Sequence, residues 1–206
     1  LLLSLSVSVI FVFSQLNAQA QVLTSQAQSI GPQKGASLKA SGPSSPSGVL
    51  YTQPLSTSGI LLQSSQNGTD LDQYVWEGFT IQSTQVVTQV DWIGGYTAGG
   101  HVLDFEVAIY ASLSGGSQPA DPTTPLVHYL VGGTAGETSL GTVVGVAMYG
   151  YSFTLPVSFT ATGGTKYWLQ IEASQTGSPP DWGWAAGMGG DGKYFRKRSN
   201  GVDFFY

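Results

Sequence analysis

A chain of 206 residues has room for one domain with extensions, or two small ones at most. Only 9% of its residues are charged, against roughly 25% in an average soluble domain. The formal net charge is −5, which argues against a nucleic-acid partner, because phosphate binding needs a basic surface. The chain has no cysteine, which excludes disulfides and thiolate metal centres and leaves stability to the core.

Residues 1–20 read LLLSLSVSVIFVFSQLNAQA. Leu1 to Phe13 is an apolar run of signal-peptide length, shorter than the ~20 residues of a membrane span, and Ala18-Gln19-Ala20 fits a cleavage site. A signal peptide over 1–20, a mature start at Gln21 and a secreted or cell-surface location are expected. No Met or basic segment precedes Leu1, so the leader is expected to begin before it. Residues 21–48 lack apolar periodicity and are rich in Gly, Ser, Pro and Ala, the composition of a flexible linker.

From Val49 onward, short apolar runs alternate with turn clusters, as in an all-β chain. In HVLDFEVAIYAS, Leu103, Phe105, Val107 and Ile109 fall on one face. Asp104, Glu106, Ala108 and Tyr110 fall on the other. That period of two predicts one buried and one wet face. TKYWLQIEAS repeats it, with Tyr167, Leu169 and Ile171 opposite Lys166, Trp168, Gln170 and Glu172. On this pattern Glu106 and Glu172 point outward and are expected to be solvated. In YVWEGFTI, Val75, Phe79 and Ile81 share a face with Glu77, the odd member. Further strands are read in QVVTQVDWIGGY, VAMYGYSFTL, GVLYTQ, LVHYLVG, DWGWAAG, KYFRKR and VDFFY. Some ten strands over residues 49–206 predict a two-sheet antiparallel β-sandwich, jelly-roll-like. VDFFY has no turn after it, so a further strand or anchor is expected beyond Tyr206.

The order EGFTIQS, VTQVDWIGGYT, DFEVAIYASLSGGSQPADP, YGYSFTLPVSFTATGGTKYWLQIEAS and WGWAAG resembles a secreted bacterial β-sandwich domain. It is the kind found in choice-of-anchor surface proteins. The resemblance spans roughly residues 50–206 and implies the fold and export. Its motifs are strand and turn patterns without a catalytic signature. Where that pattern has two acids before the Phe, this chain has Glu77-Gly78-Phe79.

Few residues suggest chemistry. His101 and His128 are the only histidines, and neither stands beside a nucleophile motif. Glycoside hydrolysis needs two carboxyls, and none of the twelve acids sits in a recognisable pair, so a hydrolase is the remote alternative. No cofactor is expected except structural calcium, for which Asn67, Asp70 and Asp72 in QNGTDLDQY and Asp191 in GGDGKY supply oxygens. Such Asx-rich loops also form plain turns. Lys193, Arg196, Lys197 and Arg198 cluster near the end, read as a solvated strand end or a local anion site.

Trp182 and Trp184 sit at i, i+2 and so share one face of a strand. Indoles stack on sugars and offer an N–H. With Asp181, and with Trp168, Tyr194 and Phe195 as extensions, they make a candidate carbohydrate platform. The competing reading is that they complete the core. The sequence therefore suggests an exported, non-catalytic surface or matrix module whose partner is a polysaccharide or a surface protein. The alternative is a purely structural envelope domain.

Overall fold

The computed structural model describes residues 10–11, 13–14, 49–66, 72–96, 102–175, 182–198 and 203–205. The described structure is all-β. The strands of one sheet are β1 (Ile10–Phe11), β2 (Phe13–Ser14), β3 (Leu61–Gln63), β6 (Gln85–Tyr96), β9 (Thr138–Val143), β10 (Val146–Ala161) and β12 (Trp182–Gly187). Those of the other are β4 (Ser65–Gln66), β5 (Gln73–Thr80), β7 (Asp104–Ala111), β8 (Val127–Leu130), β11 (Lys166–Ser174), β13 (Tyr194–Arg198) and β14 (Asp203–Phe205). The first sheet runs β2-β12-β6-β10-β9, with β1 along β6 and β3 along β12. The second runs β14-β13-β5-β4-β11-β7-β8, with β5 also bonded directly to β11. Pairing is antiparallel except for three two-residue contacts, β1–β6, β2–β12 and β4–β11. The chain changes sheet at β3–β4, β5–β6, β6–β7, β8–β9, β10–β11, β11–β12 and β12–β13, the course expected of a jelly-roll-like sandwich. No helix among the described residues is long and apolar enough to cross a membrane.

The alternation in the sequence sets the inner faces. Phe105, Val107 and Ile109 of β7 and Tyr167, Leu169 and Ile171 of β11 are buried in one cluster with Trp92, Tyr151 and Phe159 of the facing sheet. Leu103, expected on that face, lies before the strand and is 45% exposed. GVLYTQ forms only isolated bridge residues, and TSLGTV, which lacks apolar alternation, is strand β9. Strand β10 is longer than its apolar run suggested. Its register against β6 jumps between Thr154 and Phe159, around Pro156, which has no N–H to give.

The expected leader and linker fall almost wholly outside the described residues.

The β9–β10 hairpin turns through Val144 and Gly145, whose φ angles are 50° and 80°. Two positive φ values mark a type I′ turn, which favours Asn-Gly. A β-branched residue there is strained, and Val144 is 76% exposed, so no packing compensates. Val144→Asn is expected to raise the unfolding free energy by about 1 kcal/mol, read as a higher urea midpoint at unchanged slope. An unchanged or lower midpoint would show that the valine relieves its strain elsewhere.

Candidate functional site

The tryptophan pair belongs to the core. Trp182 and Trp184 are both 0% exposed, and all six residues of β12 are buried. The i, i+2 spacing does put both indoles on one face, but that face is the inner one. Trp182 meets Phe105 and Tyr151 edge-on, at centroid distances of 5.1 and 5.9 Å. Its Nε1–H donates to the Tyr151 hydroxyl at 3.1 Å. Gly94 of β6 makes room for it, since a Cβ there would lie 2.1 Å from the indole. Rings enclosed on every side offer no stacking surface, so this pair is not a ligand platform. Tyr194, 8% exposed, joins the same inner cluster. Asp181, Asn67, Asp70 and His101 lie outside the described residues.

Trp168 does take the outer face, as its alternation predicts, but it too is 0% exposed. Its Nε1–H donates to Ser112 Oγ at 3.0 Å, and Lys166 Nζ stands 4.3 Å from its ring centre. It belongs to a second, smaller cluster with Trp76, Ala108, Tyr110 and Phe195, against which Tyr74 packs. The outer face of this sheet therefore carries its own aromatic layer. The register builds it: Phe195 pairs with Trp76, Trp76 with Gln170, Gln170 with Ala108, and Ala108 with His128. One row thus crosses β13, β5, β11, β7 and β8. In the next row Glu172 pairs with Glu106.

Along these rows lies a cavity of about 370 Å³, with Tyr74, Trp76 and Tyr110 as aromatic wall and Glu106, Gln170 and Glu172 as polar wall. His128 and Lys197 also reach it. Its rim is the loop carrying Pro122, Thr123 and Pro125. Asp121 fixes that loop by accepting from Thr123 N, Thr123 Oγ1 and Thr124 Oγ1 at 2.8, 2.6 and 2.7 Å. These bonds hold the Asp121 carboxyl down at about 2.

The polar wall is ordered. The Tyr110 hydroxyl donates to Gln170 Oε1 at 2.6 Å, and Gln170 Nε2 donates to Glu172 Oε2 at 3.0 Å. His128 Nε2 donates to Glu106 Oε2 at 2.7 Å. Glu172 is 8% exposed, against the expectation of a solvated carboxylate. The rim and the aromatic layer cover the outer face where a bare sheet would meet water. Burial first, then the negative charges of Glu106 and Asp72, push the Glu172 carboxyl up to about 8. Burial also raises the Tyr110 hydroxyl to about 12, against the pull of the nearby Trp76 indole. Trp76 is 2% exposed, and its Nε1–H has no hydrogen-bond acceptor.

Of the calcium candidates, the two within the described residues, Asp72 and Asp191, lie apart. Asp72 immediately precedes β5 and acts on Glu172, whereas Asp191 pairs with Lys166 at the other end of that strand. Among the described residues no three His, Asp or Glu side chains are placed to hold a metal. The basic cluster divides as well: Lys197 faces the cavity, Lys193 is exposed, and Arg196 is half-buried.

Glu77 is wholly buried on the inner face, where its odd place in the apolar alternation put it. Gln53 Nε2 donates to its Oε1 at 2.6 Å, while Glu77 Oε2 and Gln53 Oε1 are buried without partners. Burial raises this carboxyl well above the usual range. A protonated Glu77 has the hydroxyl donor that these two oxygens lack.

The sequence hid the cavity because its wall is a cross-strand row. One local signal pointed to it: Tyr74 and Trp76 alternate with Val75, so β5 is apolar on both faces.

A family model described as a domain of unknown function, DUF7901, matches residues 49–191. No curated protein and no solved structure matches the chain.

Proposed function

We propose, from the premise that the chain belongs to the DUF7901 family, that this domain is an exported, non-catalytic surface module that binds a saccharide in the outer-face cavity. The observation that carries the reading is Trp76: a buried indole N–H without an acceptor, lining a cavity in which amide and carboxyl groups stand beside it on the same sheet face. A sugar hydroxyl both accepts and donates, so one ring can satisfy the indole and a carboxyl together. The aromatic wall suits the apolar face of a pyranose. The apolar leader at 1–20 supports export.

The test is a titration of the protein with a panel of soluble polysaccharides, followed by calorimetry. Tyr74→Ala, at the half-buried edge of the wall, is expected to weaken binding about tenfold, ~1.4 kcal/mol. Val144→Ser, on the distant hairpin, is expected to leave it unchanged. A panel that gives no heat with folded protein would sink the reading and favour a purely structural module.

One observation favours a second reading, a glycan hydrolase: a carboxyl held protonated beside another carboxyl. Yet Glu106 and Glu172 are cross-strand neighbours, side by side on one sheet face. They lie beneath a ligand rather than on either side of its bond. Release of new reducing ends from the panel, lost in both Glu106→Gln and Glu172→Gln, would establish hydrolysis.

A further inference from the structure

We infer that the saccharide carries a free, protonated amine: the cavity is built for a deacetylated hexosamine. This rests on the saccharide reading above and adds the chemical class of its ligand.

The groups facing Glu172 leave its carboxyl short of a cation. Glu106 stands directly across on β7, and Asp72 lies just before β5, both acidic. His128 on β8 is engaged with Glu106. Tyr74 on β5 and Tyr110 on β7 are neutral phenols. Lys197 on β13 reaches the cavity, but among the described residues it makes no ion pair with Glu172. Among the described residues, the side-chain bond that Glu172 receives is from the Gln170 amide.

Two carboxyls side by side, bounded by aromatic rings, therefore make a site in which the buried one, Glu172, has no cation to stabilise its ionised form. An ammonium fits both parts. It donates three hydrogens, it neutralises the pair, and it is attracted to a ring face. A neutral hydroxyl can accept from Trp76 but cannot stabilise a charge on Glu172 beside Glu106. An N-acetyl group would bring neither charge nor three donors. The ammonium accounts for the carboxyl pair and the sugar hydroxyls for the unpaired indole.

Binding also moves a proton. Glu172 is protonated in the free protein near neutrality, and an ammonium beside it favours the carboxylate. Complex formation then releases one proton from Glu172 to the buffer.

The experiment is isothermal calorimetry on the full chain at neutral pH, in two buffers of different ionisation enthalpy. The probes are tetramers of glucosamine, N-acetylglucosamine and glucose. The glucosamine tetramer is expected to bind at least tenfold more tightly than the other two, with a buffer-dependent heat that reports proton release. Glu172→Gln is expected to abolish both the preference and the proton release. Glu106→Gln, a second isosteric change, is expected to lower the preference as well. If the glucose or N-acetylglucosamine tetramer binds as tightly as glucosamine, the amine inference fails and the saccharide reading stands. If no tetramer binds while the protein is folded, both fail. A tenfold preference that survives both substitutions would place the amine elsewhere and overturn the assignment to this carboxyl pair.

Discussion

Trp182→Ala is expected to lower the unfolding free energy by about 3–5 kcal/mol, the usual cost of emptying a large aromatic site in a core. Small domains hold only about 5–15 kcal/mol in total, so the variant would be at the margin of folding. The size follows from the surroundings. The indole is fully enclosed and meets Phe105 and Tyr151 edge-on. It also starts a polar chain: Trp182 Nε1 donates to Tyr151, and the Tyr96 and Tyr151 hydroxyls both donate to Glu137 Oε2, at 2.6 and 2.8 Å. Truncation leaves a void, and the surrounding strands cannot close over it without shifting Gly94 and Gly183. Trp182→Phe keeps most of the volume and loses the N–H, so its cost should be nearer 1–2 kcal/mol. Urea denaturation of both variants checks the order. A loss below about 1 kcal/mol for the alanine variant would contradict a core role and reopen the platform reading.

The second large effect is on the pH dependence of stability. The Glu172 carboxyl sits near 8 in the folded protein, against the ordinary 4.5. Between those values the folded state holds a proton that the unfolded state has released. Stability contributed by this group is therefore full below the unfolded value and declines as pH rises through 4.5 towards 8. Over that window the loss is on the order of a few kcal/mol. Glu172→Gln mimics the protonated form and should flatten the curve, matching the parent in acid and exceeding it in mild alkali. Some slope should remain in that variant, because Glu77 is raised in the same direction. Urea unfolding of both proteins at several pH values measures this. Parallel curves would show that Glu172 is hydrated in solution.

Much of the fold could be read from one property, the two-residue period. Phe105, Val107 and Ile109 fall inward as their spacing requires, β7 and β11 lie where apolar alternation placed them, and β12 and β13 fall on the shorter runs DWGWAAG and KYFRKR. Strand β9 escaped because TSLGTV has no such pattern: it is held by pairing with β10 and not by a buried face. The sidedness of Glu106, Trp168 and Glu172 was also legible. Their environment was not, because alternation reports direction and says nothing of what lies beyond. The rim loop around Asp121 and the aromatic layer come from distant segments and turn an outward face into an interior. The tryptophan pair shows the converse: i, i+2 spacing fixes a common face without saying which. The cavity is a product of register among five strands, and register is set by tertiary packing.

Strand β10 has a further consequence. β9 bonds only its residues 146–150, and the stretch that follows is a sheet border. A border of this kind ordinarily invites another molecule to add a strand. Here the inviting groups are withdrawn. Pro156 offers no hydrogen, the irregular run between Thr154 and Phe159 breaks the repeat, and the Tyr129 hydroxyl occupies the Val157 carbonyl at 2.6 Å. Val157 is 68% exposed, yet the backbone beside it cannot template a partner. A protein crowded against many copies of itself is thereby guarded against fibrous self-association along this side.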